Sequence, residues 1–291
     1  MSSMVAMKRG FVATFVACAL GTLILLLVAY SQPSLHLRDR YLADYSGAAA
    51  VRQIFDNTAT QVSAITSINS TFQKPDAAKT NATFSVDFML ANQSAALENF
   101  AFYLQENFSR YASASIIPDF SQVAGTKFEL SSNTTSFFVD YGSRSAGLEP
   151  VGSATETGIT NLTILFTTNE TINETTAWSF DAGGDVLVNF YFVHANGTIS
   201  SSGLMDSSTP HNYWLNVSTG AGGGENVRVY FGNVGSNHGV FRFNSTAING
   251  KLITSATMPY SGASAWYYNA TLNITKGAIY RYSKLFAWEG G

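Results

Sequence analysis

Trp266-Tyr267-Tyr268-Asn269-Ala270-Thr271-Leu272-Asn273-Ile274 is the stretch whose pattern decides the fold. Ala270, Leu272 and Ile274 alternate with Asn269, Thr271, Asn273 and, one residue on, Thr275. A period of two is the mark of a strand with one buried and one wet face. Asn269 and Asn273 also open N-x-T triplets, the acceptor of N-linked glycan, which is usable only where it is exposed. Hydrophobic period and glycan chemistry therefore select the same outward face.

The coincidence repeats through the chain. Leu162, Ile164 and Phe166 alternate with Asn161 and Thr163; Leu215 and Val217 with Asn216 and Ser218; Phe84 and Val86 with Asn81 and Thr83. An antiparallel sheet with one solvated side accounts for all of them. Phe84, Val86, Phe88 and Leu90 predict one strand. Further strands are predicted at Lys127–Leu130, Ser136–Tyr141, Asn161–Thr167, Val186–His194, Tyr213–Ser218, Val227–Phe231, Val240–Asn244, Lys251–Ser255, Trp266–Ile274 and Ala278–Ala287. Asn196-Gly197 and Asn249-Gly250 stand between such runs and predict hairpins. Leu97, Phe100, Leu104, Phe108 and Tyr111 step at helical spacing instead, with Ser94 as the expected N-cap. No proline-rich linker divides residues 70–291. The expected head is thus one β-rich domain, a sandwich or jelly roll with one helix.

Upstream the pattern changes. Phe11 to Tyr30 is an uninterrupted apolar run behind Lys8-Arg9-Gly10. Its length suits a hydrocarbon core of about 30 Å. Residues 11–31 are expected to cross the bilayer once, with residues 1–10 as a cytoplasmic leader and the bulk of the chain outside the cell membrane. Tyr41, Tyr45, Ala48, Val51, Phe55, Ala59, Val62 and Ile65 then step by three or four, predicting an amphipathic stalk helix over residues 34–68. The fold class expected for the whole chain is mainly β with a membrane helix, a long stalk helix and one further helix, an α+β arrangement.

Thirteen N-x-[ST] triplets follow the apolar run and none precedes it: Asn69, Asn81, Asn92, Asn107, Asn133, Asn161, Asn169, Asn173, Asn196, Asn216, Asn244, Asn269 and Asn273. Chance placement of Ser and Thr would supply about four or five. The excess points to an exported, glycosylated ectodomain. The only cysteine, Cys18, lies inside the apolar run. An ectodomain dense in acceptors and without disulfides suits an archaeal surface better than a eukaryotic secreted one.

Three routes of N-terminal processing are open: a secretory signal cut near Ala29-Tyr30-Ser31, an uncleaved anchor, or a cut after Gly10. Lys8-Arg9-Gly10, then Phe11 and a long apolar helix, with Pro33 placed to bend it, resembles the N-terminus of type IV pilins and archaeal pilin-like proteins. The resemblance covers about the first 55 residues. It implies processing between Gly10 and Phe11, an anchor in the lipid bilayer through residues 11–31, and self-assembly through the N-terminal helix.

Little in the chain points to catalysis. His36, His194, His211 and His238 are scattered without metal-ligand spacing. Asp181-Ala-Gly-Gly-Asp185 lacks the alternating oxygen ligands of a calcium loop and reads as a solvated turn. Gly220 to Glu225 and Gly232 to Gly239 lack the strand–glycine–helix order that cradles phosphate and read as flexible loops. With Lys8 and Arg9 set aside, fourteen basic residues face nineteen acidic ones, a net charge of −5 that argues against nucleic acid. No cofactor, metal or catalytic residue is expected. The reading is a membrane-anchored, glycosylated structural or adhesive surface protein, pilin-like in layout. The alternative is an anchored carbohydrate-binding module or surface hydrolase, for which Trp178, Trp214, Trp266, Tyr267 and Tyr268 are the candidate stacking residues for a cell-surface glycan.

Overall fold

The computed structural model describes residue 20 and residues 44–88, 93–120, 127–175, 179–218, 224–246, 248–259 and 265–288. The expected leader, Gly10, Phe11, the apolar segment apart from Leu20, the start of the stalk and Asn92 lie outside the described residues. Among the described residues no helix is long and apolar enough to cross a membrane. The chain divides into two compact units, Met1–Arg52 with Gly277–Ile279, and Gln53–Lys276 with Tyr280–Gly291. In the first, a Cβ on Gly47 would stand 2.5 Å from the Ile279 Cδ1 atom, so the stalk glycine marks a close approach.

Most of the second unit is strand. Its six-stranded sheet runs in the order β1 (Ile68–Gln73), β2 (Lys79–Asp87), β14 (Lys251–Pro259), β7 (Asn161–Thr167), β9 (Val186–His194), β10 (Gly197–Met205). The ten-stranded sheet runs β16 (Ile279–Trp288), β15 (Trp266–Lys276), β4 (Lys127–Ser131), β5 (Thr135–Asp140), β6 (Ser145–Pro150), β13 (Asn237–Ser245), β12 (Gly224–Val234), β11 (His211–Ser218), β8 (Thr171–Thr175); β3 (Ser115–Asp119) pairs with β15 off this path. The expectation of purely antiparallel pairing is corrected at one place: β7 and β9 run parallel, because the chain leaves the sheet between them and returns in the same direction.

Aromatic rings join the inner faces of the two sheets. Phe84 of β2 stacks on Phe137 of β5, 4.3 Å between centroids, and lies 5.2 Å from Trp266 of β15. Phe166 of β7 meets Phe243 of β13 at 4.9 Å. Phe190 and Phe192 of β9 reach Tyr213 of β11 at 6.3 and 6.4 Å. Offset and tilted pairs of this kind add attraction beyond the area they bury.

A helix, α1, is continuous over residues 44–66. It stops two residues short of the expected stalk end. Ser67 adopts a left-handed conformation, φ 54°, and Ile68 already belongs to β1. Ile54, Phe55, Thr58, Val62 and Thr66 are buried, while Tyr45 of the expected stripe is 78% exposed. Threonine fits the buried face because Thr58 and Thr66 donate to the carbonyls of Ile54 and Val62 at 2.7 and 2.8 Å.

The second helical segment begins with α2 (Gln93–Phe102), so Ser94 falls inside it and is not the N-cap. It continues as π-helix over Tyr103–Phe108 and ends in α3 (Ser109–Ala112). Leu97 and Leu104 are buried as expected, but Tyr111 is 87% exposed. The wider i→i+5 turn rotates the register and carries Tyr111 off the stripe.

Candidate functional site

The outer face of the ten-stranded sheet carries a groove of about 830 Å³. Its floor follows from strand register. Glu129 of β4, Phe138 of β5, Gly147 of β6, Arg242 of β13, Tyr230 of β12 and Asn212 of β11 are successive partners across six strands. At about 4.8 Å per strand this row spans roughly 24 Å. A second row runs Asp140, Ser145, Asn244, Arg228, Trp214 beside it. Each of these residues sits at an outward position of its strand, and the residues between them form the core.

Phe138 lies in the floor because Gly147 has no side chain. A Cβ there would stand 2.8 Å from the Phe138 ring and would also strike the Phe241 carbonyl oxygen. The ring therefore covers bare backbone, an arrangement that stabilises glycine in a sheet. Arg242 Nε donates to Glu149 Oε1 at 2.6 Å, which fixes the guanidinium plane. The Arg228 guanidinium lies 3.5 Å over the Trp214 ring. The Tyr230 hydroxyl donates to the Asn233 carbonyl. Burial pushes the Tyr230 phenol above its ordinary value, opposed by the nearby Arg242 charge.

Of the aromatic candidates for a sugar-stacking surface, Trp266 and Tyr268 are 2% and 3% exposed and belong to the core, where aromatics of a sandwich most often sit. Tyr267 is half-buried, Trp214 lies in the second row beside the groove, and Trp178 is outside the described residues. Sequence reasoning missed Phe138, Glu149, Arg228 and Arg242. Their shared signal is a charged or aromatic side chain at an outward strand position, visible only once register is known.

The acceptor asparagines fall into a consistent pattern. Asn69, Asn107, Asn133, Asn169 and Asn196 are exposed. Asn81, Asn161, Asn244, Asn269 and Asn273 are half-buried on outward strand positions, and none of these ten is buried. Asn173 lies on β8 and Asn216 on β11. On the outer face of the six-stranded sheet, Asn81, Thr257 and Asn161 are register neighbours, as are Thr83, Ser255, Thr163 and Asn189. Hydroxyl and amide groups link along these rows: Thr83 Oγ1 to Ser255 Oγ at 2.9 Å, Thr257 Oγ1 to Asn81 Oδ1 at 2.8 Å, Ser202 Oγ to Asn189 Oδ1 at 2.5 Å.

Asp181 and Asp185 serve structure. Asp181 Oδ2 accepts from the Asp206 amide at 2.9 Å and stands 3.1 Å from His211 Nε2; Asp185 accepts from the amide and hydroxyl of Ser207. These bonds tie the loop before β9 to the loop after β10. Among the described residues no three His, Cys, Asp or Glu side chains form a group able to hold a metal ion.

Gly232 to Gly239 differs from the loop expected, while Gly220 to Gly223 lie outside the described residues. Gly232 and Gly239 lie within the β12–β13 hairpin, where Gly232, φ 130°, lets the backbone meet Thr209. Gly224 starts β12. Asn249-Gly250 is likewise no hairpin: it leads from β13 in one sheet to β14 in the other, and Gly250 admits the Phe166 ring, 2.5 Å from where a Cβ would stand. The Asn196-Gly197 hairpin does form, between β9 and β10. Comparison with protein-family models, curated proteins and solved structures gives no match.

Proposed function

We propose that this chain is a membrane-tethered, glycosylated surface protein whose β-sandwich head acts by contact. The observation that carries the reading is the placement of its acceptor asparagines: ten with described side chains, spread over both sheets and the loops, and none in the core. No acceptor with a described side chain sits where modification would need the core opened, and the triplets number thirteen against about four or five expected by chance. The apolar run Phe11 to Tyr30 supplies the tether in the lipid bilayer, and the pilin-like start places processing between Gly10 and Phe11. Self-assembly through the N-terminal helix belongs to the same proposal. Its test is mass spectrometry of protein from the native host. Glycan on the exposed acceptors and a mature N-terminus at Phe11 support the whole reading. Unmodified acceptors remove the glycoprotein reading, and a retained Met1 or Ser2 removes the prepilin one.

The groove favours a second reading, a carbohydrate-binding module. Planar hydrogen-bonding groups beside aromatic faces on a broad sheet suit sugar recognition. Hydrolysis is the weaker form of that reading. A glycosidase needs two carboxyl groups free to act across the bond, and Glu149 Oε1 is committed to Arg242 while Glu129 Oε1 accepts from the Ser131 hydroxyl at 2.8 Å.

A further inference from the structure

We propose that the groove on the ten-stranded sheet binds a neutral, pyranose-based glycan, and that Asn244 and Asn269 are the acceptors left unmodified so that it stays open. The proposal rests on the carbohydrate-binding reading and adds the ligand class and the site.

The ligand class follows from the charges that line the groove. Glu129, Asp140 and Glu149 stand against Arg228 and Arg242. This balance offers no excess positive potential to draw an acidic polymer. It does offer fixed donors and acceptors side by side, which suits vicinal hydroxyl groups, since each of them both donates and accepts. Arg242 and Glu149 hold one another's orientation at 2.6 Å, so little side-chain freedom is lost when a ligand arrives. Phe138, lying over Gly147, supplies an apolar surface for the carbon face of a ring. The row of floor residues runs straight across six strands, so the groove takes several rings in line.

The second half of the proposal follows from where two triplets fall. Asn244 and Asn269 both line the groove. Each amide is already engaged: Asn244 Nδ2 donates to the Ser143 carbonyl at 2.9 Å, and Asn269 Oδ1 accepts from the Glu129 amide at 3.4 Å. A glycan on either would occupy the volume that the ligand needs. The exposed acceptors Asn69, Asn107, Asn133, Asn169 and Asn196 are not among the residues lining the groove, so modification there leaves it clear.

The test uses full-length protein in a detergent without a sugar headgroup. Soluble glucan, mannan and galactan are the probes, polygalacturonate is the acidic comparison, and calorimetry is the readout. At least one neutral polymer is expected to bind. Arg228→Ala and Asn212→Ala should each weaken that binding about tenfold, and Tyr191→Ala, on the outer face of the opposite sheet, should leave it unchanged. Asn212 is exposed, so its variant keeps the test valid if Arg228→Ala unfolds. Glycopeptide mapping should show Asn244 and Asn269 bare. Binding to none of the three neutral polymers, binding to polygalacturonate alone, indifference to Asn212→Ala, or glycan on Asn244 or Asn269 overturns the proposal. The surface-glycoprotein reading is judged separately, by the state of the exposed acceptors.

Discussion

Replacing Phe84 by alanine tests the packing of the two sheets most directly. Phe84 is fully buried, and its ring stacks on Phe137 at 4.3 Å with an interplanar angle of 8°. It also touches Phe72 edge-on at 5.8 Å and Trp266 at 5.2 Å. Truncating a buried Phe costs about 3–5 kcal/mol, and lost aromatic pairing adds about 0.5–1.5 kcal/mol per pair. The surroundings cannot collapse easily, because Phe84 and Phe137 belong to strands fixed in different sheets. The upper end, about 5 kcal/mol, is therefore expected. For a unit of this size about 2–4 °C of Tm follows each kcal/mol, so Tm should fall by about 10–20 °C. Urea titration followed by tryptophan fluorescence gives the free energy, with an unchanged slope if only stability is altered. Tyr191→Ala is the control: this side chain is 41% exposed on the outer face, where changes stay within about 0.5 kcal/mol. Equal losses from the two variants would refute the contrast between the buried and outer faces of the six-stranded sheet, and a larger loss from Tyr191→Ala would show the faces reversed.

Leu104→Ala should cost about 2–5 kcal/mol and Asn107→Ala less than about 0.5 kcal/mol, measured as denaturant midpoints, since Leu104 is 3% exposed and Asn107 lies on the outside. Stability should decline as pH rises past the ordinary tyrosine value of 10. Burial raises the phenols of Tyr141, where the Asp87 charge adds, of Tyr268 and of Tyr230, so the unfolded chain loses those protons first. Melting temperature and tyrosinate absorbance should change together, and a flat Tm above pH 10 would contradict this. A chain starting at residue 70 should melt less cooperatively than one starting at residue 53, because it lacks the buried Phe55, Val62 and Ile68; equal melting curves would show that α1 contributes nothing to the head.

Period-two alternation fixed β7 and β9 to the residue, because both bury one full face and the pattern is unbroken. It failed where the strand carries no such contrast. β10, Gly-Thr-Ile-Ser-Ser-Ser-Gly-Leu-Met, holds an edge position through backbone bonds to β9 and shows no apolar stripe. β6 was hidden by Gly147 and Pro150, and with it Glu149 of the groove. β1 was not predicted: only Ile68 fell within the expected stalk, and Asn69-Ser70-Thr71-Phe72-Gln73 carries a single large apolar residue. The acceptor asparagines were legible because their motif is local. The groove was not, since its floor gathers residues from six strands that lie far apart in the chain.

The position of β14 has a consequence for the order of events at synthesis. This strand, Lys251–Pro259, lies between β2 and β7, which have no pairing with each other. β2, already paired with β1, and β7, paired with β9, therefore cannot be joined into one sheet until nearly the whole chain has emerged. The chain also passes from one sheet to the other seven times, from β2 to β3, β6 to β7, β7 to β8, β8 to β9, β10 to β11, β13 to β14 and β14 to β15. Such long-range closure is slow. On the surface-glycoprotein reading proposed above, the head would spend that interval open, with Asn69, Asn81 and Asn161 accessible to a glycosyl transferase before their strands are joined.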